Sequence, residues 1–62
     1  MAHYEVWVKA TKDGVQKYHA SYQVQASTES EARRNAVAKA EQGQLSYRDC
    51  KFSSTTLRKI RD

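Results

Sequence analysis

The residues able to do chemistry in this chain are few, and their spacing points to binding. Trp7 is the one tryptophan. It sits in His3-Tyr4-Glu5-Val6-Trp7-Val8-Lys9, where every second side chain carries a charge, an imidazole or an indole. A second alternating run places Lys17, His19 and Gln23 on the polar side. Aromatic and basic groups on an exposed sheet suit single-stranded nucleic acid: bases stack on the ring, worth about 1–3 kcal/mol each, while lysines hold phosphates. An exposed indole is equally suited to a protein interface, or to packing under a chain terminus. His3, Trp7, Lys9, Lys17, His19 and Gln23 form the candidate binding surface.

Arg48, Lys51, Arg58, Lys59 and Arg61 supply a second, C-terminal basic patch. Such a run can contact phosphates. It can also be a solvated edge on which lysines discourage aggregation. Arg33 and Arg34 are a smaller cluster with the same two readings.

Other chemistry finds little support. His3 and His19 have no third ligand at a matching spacing, so no metal is expected. Cys50 falls on the opposite face from the histidines, which argues against a Cys–His pair and for a small buried hydrophobe. There is no glycine-rich phosphate loop and no pair of carboxylates in a cleft. A chain this short leaves little room for a deep pocket, so neither an enzyme nor a cofactor is expected.

The elements that position these residues follow from their periodicity. Tyr4, Val6, Val8 and Ala10 face one way, as in a half-buried strand. Tyr18, Ala20, Tyr22, Val24 and Ala26 repeat this in a strand over residues 16–26. Between them Asp13-Gly14 signals a two-residue loop. That loop would pair Lys12 with Val15 and so, in an unbroken register, Val8 with His19, opposing core to polar. A three-residue loop, Lys12-Asp13-Gly14, with Gly14 left-handed, removes the conflict. It predicts the pairs Val8–Tyr18, Val6–Ala20 and Tyr4–Tyr22, with Lys9–Lys17, Trp7–His19 and Glu5–Ser21 on the other face.

Thr28-Glu29-Ser30-Glu31 reads as a capping box, with the helix running to Glu41 or Gln42 and stopped by Gly43. Its apolar face is Ala32, Ala36, Val37 and Ala40, leaving Arg33, Arg34 and Lys39 in solvent. Leu45 and Tyr47 are expected to close the core below it. A third strand is expected over residues 48–56. Leu57 and Ile60 fall out of its phase, so the spacing predicts either a bulge near residues 54–56 or a final helical turn.

The predicted fold is therefore α+β: a single ββαβ domain over residues 1–62, with a three-stranded sheet in the order 2-1-3. One helix covers one face. The other face is open.

Composition bounds the rest. Sixty-two residues bury only about 60% of the unfolded surface. Eleven Lys/Arg against seven Asp/Glu give a net charge of +4, which favours acidic partners. One cysteine suits a reducing compartment. No apolar run is long enough for a signal peptide or a membrane span, so a cytoplasmic location and no membrane partner are expected.

The run Tyr22-Gln23-Val24-Gln25-Ala26-Ser27-Thr28-Glu29-Ser30-Glu31-Ala32 resembles a pattern of small phage and mobile-element proteins. In these, a strand ending Val-x-Ala-x-Ser/Thr runs into Glu-x-Glu-Ala at a helix start. Some anti-CRISPR inhibitors look like this, and the archaeal ribosomal LX family is similar in layout. The resemblance spans residues 4–60 in layout and these eleven in residue pattern, and it assigns no individual functional residue. It implies binding to nucleoprotein machinery without catalysis. The expected function is a small basic module docking on a protein or nucleoprotein partner through the open face. Direct nucleic acid binding is the alternative, and a homodimer through the open face or the edge of the second strand is a third.

Overall fold

The computed structural model describes residues 1–62. Strand β1 (Ala2–Lys12) and strand β2 (Val15–Ala26) form a hairpin. Helix α1 (Glu29–Gly43), a short 3₁₀ turn (Leu45–Tyr47) and strand β3 (Lys51–Arg61) follow. The sheet order is β2-β1-β3, with β1 antiparallel to both neighbours. The helix packs on one face, giving an α+β fold of ββαβ type.

β1 is central because it supplies the best inward row. Tyr4 is 5% exposed and Val6, Val8 and Ala10 are fully buried. Against them lie Ala32, Ala36 and Ala40, all fully buried and one helical turn apart. Side chains this small let the helix backbone approach the sheet, at the cost of little apolar area. Val37, Tyr22, Val24, Phe52 and Leu57 pack around this centre.

The hairpin corrects the predicted loop. It closes over two residues, Asp13 at φ 54° and Gly14 at φ 78°, both left-handed as a type I′ turn requires. Lys12 does pair with Val15. The conflict with the hydrophobic pattern disappears because the register shifts between Ala10 and Thr11, which face Tyr18 and Gln16. Lys17 is the extra residue of a bulge. Beyond it Val8 faces Ala20, Val6 faces Tyr22 and Tyr4 faces Val24. These pairs lie two residues from the expected ones, so every side chain of β2 beyond the bulge keeps its predicted face.

At the helix start Thr28 Oγ1 accepts the Glu31 N–H at 3.1 Å, as the cap predicts. The Glu31 carboxylate reaches back to the Ser27 N–H at 3.1 Å, one residue earlier than a standard capping box. The helix ends one residue late: Gly43 belongs to it and keeps a negative φ, and Gln44 caps it through an N–H bond to the Ala40 carbonyl at 3.0 Å.

Two helix-side expectations fail. Arg33 is half-buried, and its Nη1 donates to Ser54 Oγ and to the Thr55 carbonyl, each at 3.2 Å. Leu45 is 69% exposed, because the 3₁₀ turn carries it outward. Tyr47 is half-buried against Tyr18, ring centroids 5.2 Å apart, but lies outside the core cluster and does not close it as expected.

The third strand begins and ends later than predicted. Its first half keeps the predicted phase, with Phe52 facing Ala10 and Ser54 facing Val8 on the helix side. The register then shifts between Val6 and Val8, so that Leu57 returns to the helix side opposite Val6. Of the two alternatives for Leu57 and Ile60, the bulge is the one realised. A second shift, between His3 and Tyr4, leaves Ile60 without a partner and 44% exposed.

Candidate functional site

The face of the sheet away from the helix is built by the odd-numbered residues of β1. Their partners across the sheet share that face. His3, Glu5, Trp7, Lys9 and Thr11 form its central row. β2 adds His19 opposite Lys9, Ser21 opposite Trp7, Gln23 opposite Glu5 and Gln25 opposite His3. β3 adds Lys51 opposite Thr11, Ser53 opposite Lys9, Arg58 opposite Glu5 and Arg61 opposite His3.

Trp7 lies at the middle, half-buried by its neighbours. Its ring centroid is 4.9 Å from that of His19, with the planes tilted by 45°. The two are diagonal neighbours, since Trp7 stands opposite Ser21 and His19 opposite Lys9. On the other flank Thr55 Oγ1 donates to the Trp7 carbonyl at 3.2 Å, holding the bulged part of β3 to the centre of β1.

The structure redistributes the predicted site residues. His3, Trp7, Lys9, His19 and Gln23 share the open face as expected. Lys17 does not join them. As the bulge residue it lines a cavity on the other side with Lys12, Tyr47 and Cys50. The basic patch divides as well. Lys51, Arg58 and Arg61 are on the open face, Lys59 pairs with Tyr4 on the helix side, and Arg48 lies in the loop before β3. Lys59 is also bound by the Asp62 carboxylate.

Charge follows this division. The open face holds four of the eleven Lys/Arg and one of the seven Asp/Glu. The remaining seven and six leave +1, so three of the four net positive charges belong to this face. Its one acid, Glu5, is bound by Arg58 at 3.2 Å. Lys9, Lys51 and Arg61 have no acidic partner.

The other concave places are less suited to function. A cavity of about 480 Å³ beside the hairpin tip is lined by Lys12, Lys17, Tyr47, Asp49 and Cys50 among others. There Lys12 Nζ lies 2.6 Å from Asp49 Oδ2. That hydrogen bond and the opposite charge hold the Asp49 carboxyl below its usual range and raise the Lys12 ammonium above its own. Cys50 is half-buried outside the core cluster, not within it as expected. Burial first, then the Asp49 charge, push its thiol up, away from the thiolate a nucleophile needs. Nowhere do three His, Cys, Asp or Glu side chains converge to hold a metal ion. No helix is long and apolar enough to cross a membrane.

Two functional features escape the periodicity. Nothing in the sequence marks Arg33 as the residue that ties α1 to β3. The joining of Arg58 to the Trp7 face depends on the first shift in β3, for which the only signal is the late phase of Leu57 and Ile60; for Arg61 the two shifts cancel. No family model, curated protein or solved structure matches this chain.

Proposed function

We propose that this chain is a small non-catalytic binding module that docks on a protein or nucleoprotein partner through the open face of its sheet. The observation that carries this reading is the composition of that face. The chain's one tryptophan stands at its centre, with the unpaired cations Lys9, Lys51 and Arg61 on the same face. A central half-buried aromatic ringed by polar groups is the usual make-up of an interface hot spot. The Tyr22–Ala32 junction fits the same reading, since small phage and mobile-element accessory proteins that it resembles act by docking on larger machinery.

A site-specific photo-crosslinker tests this. Placed at Ser21 or Gln23 on the open face, it is expected to give discrete adducts in cell extract. Placed at Ala38 on the exposed side of α1, it is expected to give none. Trp7→Ala should abolish the open-face adducts while the protein remains folded. Equal labelling from both positions would refute the assignment.

Direct contact with nucleic acid is the second reading. It is favoured by the concentration of the net charge on the face that carries Trp7.

A further inference from the structure

Resting on the open face as the docking surface, we infer that its occupant is a short single-stranded stretch of nucleic acid lying along β1. Charge complementarity is the first argument. A face with four cations and one acid, on a molecule otherwise nearly neutral, selects a polyanion. The placement of the cations is the second. Lys51, beside Thr11, and Arg61, beside His3, stand near opposite ends of the central row. Eight residue steps separate Thr11 from His3, about 26 Å at about 3.3 Å per residue. A fully extended strand of about four nucleotides covers that span, the lower end of the site sizes seen on other single-strand platforms.

Trp7 supplies the third argument and decides between single and double strands. Its indole lies midway along the row with the His19 ring beside it. An unpaired base can stack there, with the neighbouring phosphates reaching Lys9 and the two outer cations. In a duplex the bases are already stacked on one another and offer no free face to the indole. Duplex contacts would be left with phosphate attraction alone.

Arg58 sets the affinity. In the free chain the Glu5 carboxylate holds its guanidinium, so three cations are free and a fourth is engaged. Single-strand binding loses about 0.7 in log–log salt slope for each phosphate neutralised. Three free cations therefore give a slope of about −2, and releasing Arg58 gives about −3.

The experiment titrates the full chain with thymidine and uridine homopolymers, a duplex of equal length and poly-glutamate, following Trp7 emission over a series of salt concentrations. Either homopolymer is expected to quench Trp7 with a slope of about −2. Lys51→Ala and Arg61→Ala, both at exposed positions outside the core, should each flatten the slope by about 0.7. Glu5→Gln should steepen it to about −3 and raise the affinity several-fold at low salt. That gain of binding cannot come from a damaged fold.

Duplex binding as tight as the homopolymers, or a slope indifferent to Lys51, Arg61 and Glu5, overturns the inference. Quenching by poly-glutamate alone overturns it too, yet leaves the docking surface standing. Trp7 shielded from iodide in a self-associated free chain overturns both the inference and the open-face reading.

Discussion

Trp7 rests against His19, ring centroids 4.9 Å apart, although the two are not cross-strand partners. The contact runs diagonally between strands, where aromatic side chains are long enough to meet. It orients the indole on the open face without burying it in the core. Removing either ring should therefore cost little folding stability. A double-mutant cycle of Trp7→Ala and His19→Ala is expected to give a coupling of about 0.5–1 kcal/mol by denaturant unfolding. Val8→Ala, in the fully buried row behind Trp7, is expected to cost about 2–3 kcal/mol. A Trp7→Ala cost exceeding that of Val8→Ala would show the indole to be a core residue.

The bulge at Lys17 yields a test of the register. Deleting Lys17 would join Gln16 to Tyr18 and leave every other cross-strand pair of the hairpin in place. The deletion is expected to fold, with a stability change of about 1 kcal/mol or less. Deleting His19 instead would turn Tyr18 to the open face and Lys17 to the helix side, and should cost more than about 2 kcal/mol. Amide exchange across β2 in the two deletions checks both outcomes.

Tyr22 makes stability depend on alkaline pH. Its hydroxyl lies 2.9 Å from that of Tyr18. Burial first, then the hydrogen bond and charge of Tyr18, push its pKa from the ordinary 10.0 up to about 12, against an opposing hydrogen bond from Gln44. The folded state thus holds this proton more tightly than the unfolded chain does. The stabilisation is complete below pH 10.0 and is lost as pH rises towards about 12. Melting temperature should fall across that window in step with phenolate absorbance. Tyr22→Phe should flatten the dependence, and an unchanged profile in that variant would refute the assignment.

Arg33 clamps the helix to β3. Arg33→Ala leaves Ser54 Oγ and the Thr55 carbonyl without that donor and is expected to cost about 1 kcal/mol. Arg34→Ala, one residue along on the exposed side, should cost less than about 0.5 kcal/mol. Denaturant midpoints of the two variants make the comparison. Equal midpoints would mean that the two Arg33 hydrogen bonds add nothing to stability.

Most of the open face was legible from alternation. His3, Trp7, Lys9, His19 and Gln23 were assigned to it because a side-chain period of two leaves only two faces. Alternation carries no information on where a strand breaks phase. Lys17 was lost from the face because a bulge costs the backbone little and lets the favoured Asp-Gly turn coexist with the buried row. Arg33 escapes the pattern for a related reason. Helix periodicity separates apolar from polar, but it does not tell a solvated arginine from one whose stem packs while its head finds a carbonyl.

Three strands and one helix, the strand order, the inward rows of β1 and β2, and the helix start at Thr28 are legible in the sequence alone. The rows and the helix start rest on local periodicity or on a hydrogen bond between near neighbours, and the order on the crossover that joins β2 to β3. Tertiary structure decided the partners within each face, and which basic residues of β3 stand beside Trp7. Pairing between distant strands is chosen by how the whole buried surface closes. To return Leu57 to the core opposite Val6, β3 had to slip near Thr55. That slip put Arg58 on the open face and Lys59 on the helix side; the second, at Ile60, put Arg61 beside His3. Which cation stands opposite Glu5 on the candidate site, Arg58 in place of Lys59, is thus a consequence of core packing on the far side of the sheet.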